Sequence, residues 1–411
     1  MTPINLFFDF RDLARSPRLA LSGKKIWIFI VGNLAGFLGY WLFSYLSIIL
    51  SGISLNAALA KYGLYPCLFG NETAWYCWGI YFIGILIWFL AILLSSTAVS
   101  RVTLKQLKGN DFYSSRDAWS FVFKHWKAVI FSPITISLII LFFLLFSGFF
   151  AALSSIPYLG KFLFILPYII YFFGALFTIY TFFVLGVSII YSPYIVGVYE
   201  EDTMGTVFHS YSITIGQPWR IILYHLLLIP IIILSVEIFS WFWINSIGFI
   251  NMIFGHELFM GEKLTNIVYH ASKIVCPDWL YETIFWIKNA VFNLFGFSYT
   301  IPNIFSNYII PEPINLSSID TLHGSILAIP YFIIGLSIIS YGLAIFSVGQ
   351  TLMFIIFKKI SDNDNLLLRK DDDEIDDEIE DDFDFEQSIT DNPSTENPDN
   401  NNPKNNSRDT E

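Results

Sequence analysis

Six long stretches of the chain are almost free of charge, and basic and aromatic residues collect between them. The first stretch, "IWIFIVGNLAGFLGYWLFSYLSIIL", covers 26–50; the others fall at 79–100, 128–153, 165–192, 221–244 and 330–357. A hydrocarbon core of about 30 Å needs roughly 20 apolar residues per helix, so each stretch predicts one crossing. The fourth lies inside an uncharged segment, 162–199, that is longer than one crossing requires. Pro167 marks its entry and Pro193 its exit, giving one tilted helix. Two tight spans would need a turn near Gly174 or Gly186 with no polar residue beside it. The sixth is expected to start near Pro330, since proline suits a first helical turn. The pattern predicts an all-α, polytopic bundle of about six spans over 26–360, with a large external loop at 245–323.

Orientation follows from where positive charge is retained. Arg11, Arg15, Arg18, Lys24 and Lys25 fill the basic segment 1–25 before the first span. Arg101, Lys105, Lys108, Arg116, Lys124 and Lys127 follow the second, and Lys358 and Lys359 follow the sixth. These place both termini in the cytoplasm. The loop at 199–220 is neutral to acidic through Glu200, Glu201 and Asp202, and acids weigh little in this rule. The first apolar run is too long for a signal-peptide core, so no cleaved leader is expected.

The basic loops carry a second pattern. Trp119, Val122, Phe123 and Trp126 recur at helical spacing, with Asp117, Ser120, Lys124 and Lys127 on the other side. Met204, Val207, Phe208, Tyr211 and Ile215 form a similar stripe, with Thr206, His209 and Ser210 away from it. A shift of 92 residues lays Tyr211 on Trp119 and Ile215 on Phe123; one inserted residue then lays Trp219 on Trp126 and Arg220 on Lys127. A fainter copy, "ARSPRLALSGKKIWIFI", leads into the first span. The pattern suggests three tandem hairpins, spans 1–2, 3–4 and 5–6. Each would be entered through a short interfacial amphipathic helix anchored by Trp119, Trp126 and Lys127, or by Tyr211, Trp219 and Arg220. The plainer alternative is that any cytoplasmic loop gathers basic residues and interfacial aromatics.

Composition agrees with the membrane reading: 55% of the 411 residues are hydrophobic, 18% aromatic and only 14% charged, against about 25% charged in soluble domains. The net charge of −11 is local. Residues 371–411 hold 17 acidic and two basic residues, a net of −15, which leaves 1–370 at +4. The end of the chain, 361–411, is expected to be a disordered acidic cytoplasmic tail, suited to a basic protein partner. The scattered basic residues form no nucleic-acid footprint.

Candidate chemistry is sparse. Glu237 is the only carboxylate within a span, and with Gln350 and Asn33 it makes the set of intramembrane polar residues a transporter could use. Alternatively Glu237 sits at the outer interface beside Trp241 and Trp243. "GHELF" at 255–259 lacks the second histidine of a zinc motif, because Met260 stands in its place. The six histidines are dispersed, and no catalytic, metal or cofactor-binding set is expected. Cys67 and Cys77 share the first external loop and either bridge or remain thiols, while Cys276 is left over. Asn71 and Asn315 head external sequons. Small residues Gly32, Gly36 and Gly39 in the first span, and Gly335, Gly342 and Gly349 in the sixth, predict close helix packing.

The segments "SRVTLKQLKGNDFYSSRDAWSFVFKHW", "YSPYIVGVYEEDTMGTVFHSYSITIGQPWRIILY" and "SYGLAIFSVGQTLMFIIFKKISDND" resemble a broad group of uncharacterised bacterial multi-pass membrane proteins. That group is distantly like the membrane domain associated with glycerophosphodiester phosphodiesterases. The resemblance implies a bacterial inner (cytoplasmic) membrane and carries no activity, because the phosphodiesterase domain has no counterpart here. The expectation is a non-enzymatic scaffold or accessory membrane protein whose partners are membrane lipids, with no cofactor and the oligomeric state open. The alternative is a transporter or lipid-handling permease.

Overall fold

The computed structural model describes residues 5–70, 73–294, 296, 302–313 and 316–370. The sequons at Asn71 and Asn315 and the acidic stretch 371–411 lie outside the described residues. The chain divides into Met1–Leu367 and Leu368–Glu411, and the fold below is that of the first unit. Every regular element among the described residues is helical. Six helices are long and apolar enough to cross a membrane: α1 (Gly23–Leu50), α2 (Trp75–Leu107), α3 (Ser115–Ser154), α4 (Tyr168–Tyr199), α6 (Pro218–Phe254) and α9 (Ser318–Asp362). Three others matter for function: α5 (Thr203–Gly216), α7 (Glu262–Val275) and α8 (Asp278–Leu294). The protein is an all-α, multi-pass membrane bundle.

Several helices run past the limits that charge and proline suggest. The segment expected to form a separate interfacial helix before the third span is instead the start of α3. Its capping box joins Ser114 and Asp117, and it continues unbroken for 40 residues, about 60 Å at 1.5 Å per residue. Nothing between Trp119 and Pro133 breaks it: Ser132 Oγ bonds back to the Ala128 carbonyl at 2.6 Å within the helix, and the helix runs on through it. The other copy does break: α5 ends at Gln217 (φ −144°, ψ 45°), and Pro218 opens α6. The residue inserted in the sequence alignment therefore coincides with a real chain break. Helix α9 begins at a Ser317–Asp320 capping box and passes through Pro330 rather than starting there. Helix α4 passes through Pro193 and ends at Tyr199, with Glu200 in the left-handed region (φ 61°). Membrane helices accommodate such prolines because neighbouring groups satisfy the freed carbonyls. Helix α6 extends to Phe254, so the segment between α6 and α9, expected as a loop over 245–323, spans 255–317.

The hairpins close through small residues. Gly32, Gly36 and Gly39 press α1 onto α2; a Cβ on Gly36 would lie 2.6 Å from Trp88 Cδ1 and 3.0 Å from the Ala91 methyl. Gly342 and Gly349 meet Val236 and Leu228 of α6, whereas Gly335 faces open space and closes nothing. The even-numbered spans α2, α4 and α9 then pack on one another. Half of the most apolar stretch of α9 is buried, against a third or less in the other five, so α9 is the central helix. The outer parts of α3 and α4 stay uncovered through Phe142, Leu145, Phe149, Ile169 and Phe173, as suits faces bathed in lipid.

The entry segments share only Val122 and Val207 between their buried faces and their stripes. In α3 the buried positions are Ala118, Phe121, Val122, Ala128 and Val129, while Phe123 and Trp126 face outward and Trp119 is half-buried. In α5 they are Thr206, Val207, Ser210 and Ile213, while Met204, Phe208 and Ile215 are exposed. Between helices in lipid there is little hydrophobic drive, so small residues that permit close approach win the inner face.

Candidate functional site

The chemistry of the molecule concentrates where the C-terminal halves of α2, α4 and α9 meet. In α2 the run Ser95–Lys105 is buried throughout, in α4 Tyr191–Val198, and in α9 Ala344–Lys358 apart from Phe346. A helix covered on all sides must satisfy its polar side chains internally. Ser347 Oγ donates to the Ser96 carbonyl at 3.1 Å, and Thr351 Oγ1 donates to Ser100 Oγ at 3.0 Å. Gly197 of α4 sits against Ser100, where a Cβ would come within 2.7 Å of the serine Cβ. Tyr191 donates to Met353 Sδ at 3.6 Å.

Arg101 is among the largest fully buried side chains of the described residues. Its Nη1 lies 2.5 Å from Glu200 Oε1, and its guanidinium stacks 4.5 Å over the Phe121 ring. Three elements therefore converge on one cation: α2 supplies it, the end of α4 its carboxylate, and α3 its aromatic face. The left-handed turn at Glu200 stops α4 at the level of Arg101. Lys25, also fully buried, donates to the Leu19 carbonyl at 2.9 Å and Gln106 Oε1 at 2.8 Å, tying the chain entry to the end of α2.

A second polar group joins α5 to the end of α9. His209 stacks on Tyr199 at 4.7 Å, with its Nε2 3.4 Å from Glu201 Oε1. Burial lowers the pKa of this imidazole, and the Lys358 ammonium lowers it further against the pull of Glu201. Lys358 donates to Asp362 at 2.7 Å, Tyr199 donates to Asp364 at 2.9 Å, and Gln217 donates to the Phe357 carbonyl at 2.8 Å. An open cleft of about 220 Å³ lies at this end, lined by Lys24, Gln106, Asn110, Asp111 and Tyr113 among others. Lys24 spans its rim by donating to the Asp111 and Tyr113 carbonyls.

The three intramembrane polar residues do not come together. Glu237 Oε1 lies 2.5 Å from Lys288 Nζ of α8. Gln350 Nε2 lies 2.8 Å from His225 Nε2, and Asn33 Oδ1 accepts from Trp88 Nε1 at 3.2 Å. Each has a separate partner on a different helix. The partners Lys288 and His225 were invisible to sequence pattern, being 51 and 125 residues away. Arg101 and Glu200 read only as loop charges. The signal that marked their burial was the small-residue run "SSTAVS" at 95–100, too polar for a lipid face and too small for a surface loop.

Of the interfacial anchors, Trp126 and Trp219 are exposed, as are Lys127 and Arg220. Tyr211 instead packs on α4: its hydroxyl donates to Thr181 at 3.2 Å, and its ring stacks on Phe177. Cys67 and Cys77 stand as free thiols, as does Cys276. Cys77 is buried in the cluster of Tyr45, Ile48, Ala58, Leu68 and Tyr81, whereas Cys67 is half-buried. In the "GHELF" segment, His256 accepts the Leu258 N–H through Nδ1. No group of three His, Cys, Asp or Glu placed to hold a metal occurs among the described residues. No protein-family model, no curated protein and no solved structure matches the chain.

Proposed function

We propose that this chain is a non-enzymatic scaffold or accessory protein of a bacterial inner membrane. It would be built from three tandem hairpins, with both termini cytoplasmic and the acidic tail offered to a basic partner. One observation carries the reading: Glu237, Gln350 and Asn33 each serve as a tie between two helices and do not line a common path. A carrier concentrates polar groups near the bilayer midplane, around a site that two gates can reach. Here the hydroxyl, amide and charged groups of the inner end are spent on one another, which suits a rigid platform.

The packing favours the tandem arrangement. Each entry segment leans on the hairpin before it: the start of α3 on α2, and α5 on α3 and α4. The N-terminal turns Phe10–Arg15 and Ser16–Ala20 complete the circuit by leaning on α6 and α9. The test is reconstitution of the full chain in liposomes, with trapped pH and potassium reporters and a fluorescent phospholipid. The expected traces match those of protein-free vesicles. Proton, potassium or lipid movement that Glu237→Gln abolishes would overturn the scaffold reading in favour of a transporter or lipid-handling permease.

A further inference from the structure

Among the described residues, helix α8 is the one long helix that no other helix packs along. Seven consecutive residues, Tyr281–Ile287, are exposed, and five of them are large and apolar. Trp286 is 70% exposed. Its printed ties are few: at its start Asp278 accepts from Lys273 and Trp279 packs edge-on against Tyr65, and past its middle Lys288 reaches Glu237 of α6.

The sequence of α8 explains what such a helix requires. Asp278, Glu282, Asn289 and Asn293 fall within about 60° of one another at 3.6 residues per turn. On the opposite side lie Leu280, Ile284, Ile287 and Val291. A narrow polar stripe on an otherwise apolar helix suits a helix lying in a membrane surface: the stripe meets water and the rest meets lipid. Lys288 belongs to the apolar flank, where an unpaired ammonium is costly, and Glu237 neutralises it.

The ion pair also sets the depth. Trp241, one turn after Glu237, donates to the Pro302 carbonyl, so the segment after α6 folds back onto the helix at this level. Glu237 lies about 6 Å further in along the helix axis. An interfacial helix buries its apolar face about 5–10 Å into the headgroup–acyl boundary, so the tether and the helix agree on depth.

We propose that α8 lies flat in the leaflet opposite the chain's N-terminus, its apolar face among acyl chains, with Lys288–Glu237 holding it against α6 at that depth. The partner is the lipid bilayer itself. The inference needs only a membrane around the six spans and holds for a scaffold or a carrier alike.

The test uses the full chain in phospholipid nanodiscs. A nitroxide is placed at Ile287→Cys or Glu282→Cys in a background of Cys67→Ser, Cys77→Ala and Cys276→Ser. The expected result is collision with oxygen dominating at 287 and with a water-soluble nickel chelate at 282. Glu237→Gln should lower the oxygen-to-nickel ratio at 287 several-fold, and the exchange Glu237→Lys with Lys288→Glu should restore it. A photoreactive benzoylphenylalanine at 286, with the native cysteines kept, should form adducts with lipid. Nickel-dominated collision at both positions, or adducts to protein alone, would overturn the lipid assignment. A ratio at 287 unchanged by Glu237→Gln would overturn the tether.

Discussion

Charge buried at Arg101 is tolerable only because three helices meet around it. Glu200 supplies the opposite charge and Phe121 the stacking surface. Removing one member of such a pair leaves an uncompensated charge in a low-dielectric interior, at a cost of about 3–5 kcal/mol. Replacing both by apolar side chains of similar size removes the desolvation penalty together with the attraction and is often neutral. Arg101→Met alone should therefore lower the thermal unfolding midpoint in detergent markedly, because it removes the buried cation that faces Glu200. Arg101→Met with Glu200→Met should recover most of the loss. Glu200 already holds a φ of 61°, so the second change adds no new backbone strain. A double variant as unstable as the single one would mean that Arg101 acts through packing and not charge. In sequence neither residue announces this role: position near a helix end is local information, while the pairing joins residues 99 apart. The intramembrane candidates show the same limit. Their types pointed to polarity inside a span, but their partners Lys288, His225 and Trp88 are set by tertiary packing.

The six helices were legible in the sequence because each long apolar run needs only its own residues to identify it. Their limits were less so, since charge marks where lipid ends and not where the helix ends. Capping decides the latter: the Ser114–Asp117 and Ser317–Asp320 boxes start α3 and α9 well outside the apolar runs. Which faces of α3 and α5 turn inward could not be read from the aromatic stripes. An aromatic stripe signals burial in a soluble helix, but in lipid a large side chain loses nothing by facing outward. Glycine spacing was the better guide, and it makes a graded prediction. Gly36→Leu should destabilise the protein by about 1–3 kcal/mol, the usual cost of overpacking, because Trp88 and Ala91 of α2 stand against it. Gly335→Leu, with nothing within 4 Å, should leave the unfolding midpoint nearly unchanged. Equal losses at both positions would show that the heptad glycines of α9 pack against something beyond this chain.

At the scale of the molecule, the order of packing matters more than any single contact. Hairpins α1–α2, α3–α4 and α6–α9 share one core through their second members, α2, α4 and α9, and each entry segment bridges to the hairpin before it. For the first hairpin the preceding one is the last, so the N-terminal turns must close the ring. Leu13 and Ser16 are fully buried, and Tyr341 of α9 donates to the Pro17 carbonyl at 3.3 Å. Leu13 and Leu19 join the same hydrophobic cluster as Tyr224, Leu228 and Tyr341. A short basic leader before a first span would ordinarily be dispensable, since termini that are not tied down contribute little. Here its burial argues the reverse. Deleting residues 1–20 should expose the seam between α1 and the α6–α9 hairpin, lower the unfolding midpoint by several degrees and open the seam to proteolysis. Truncation after Lys370 removes none of the residues in that cluster, whose last member is Leu366, and should leave the midpoint where it was. If both truncations behave alike, the N-terminal turns are an accessory to the bundle and the circular arrangement does not hold it together. If only the first destabilises, the N-terminal turns and the last hairpin form one structural unit, and continuity of packing around the ring, more than any one hairpin, supplies the stability of the fold.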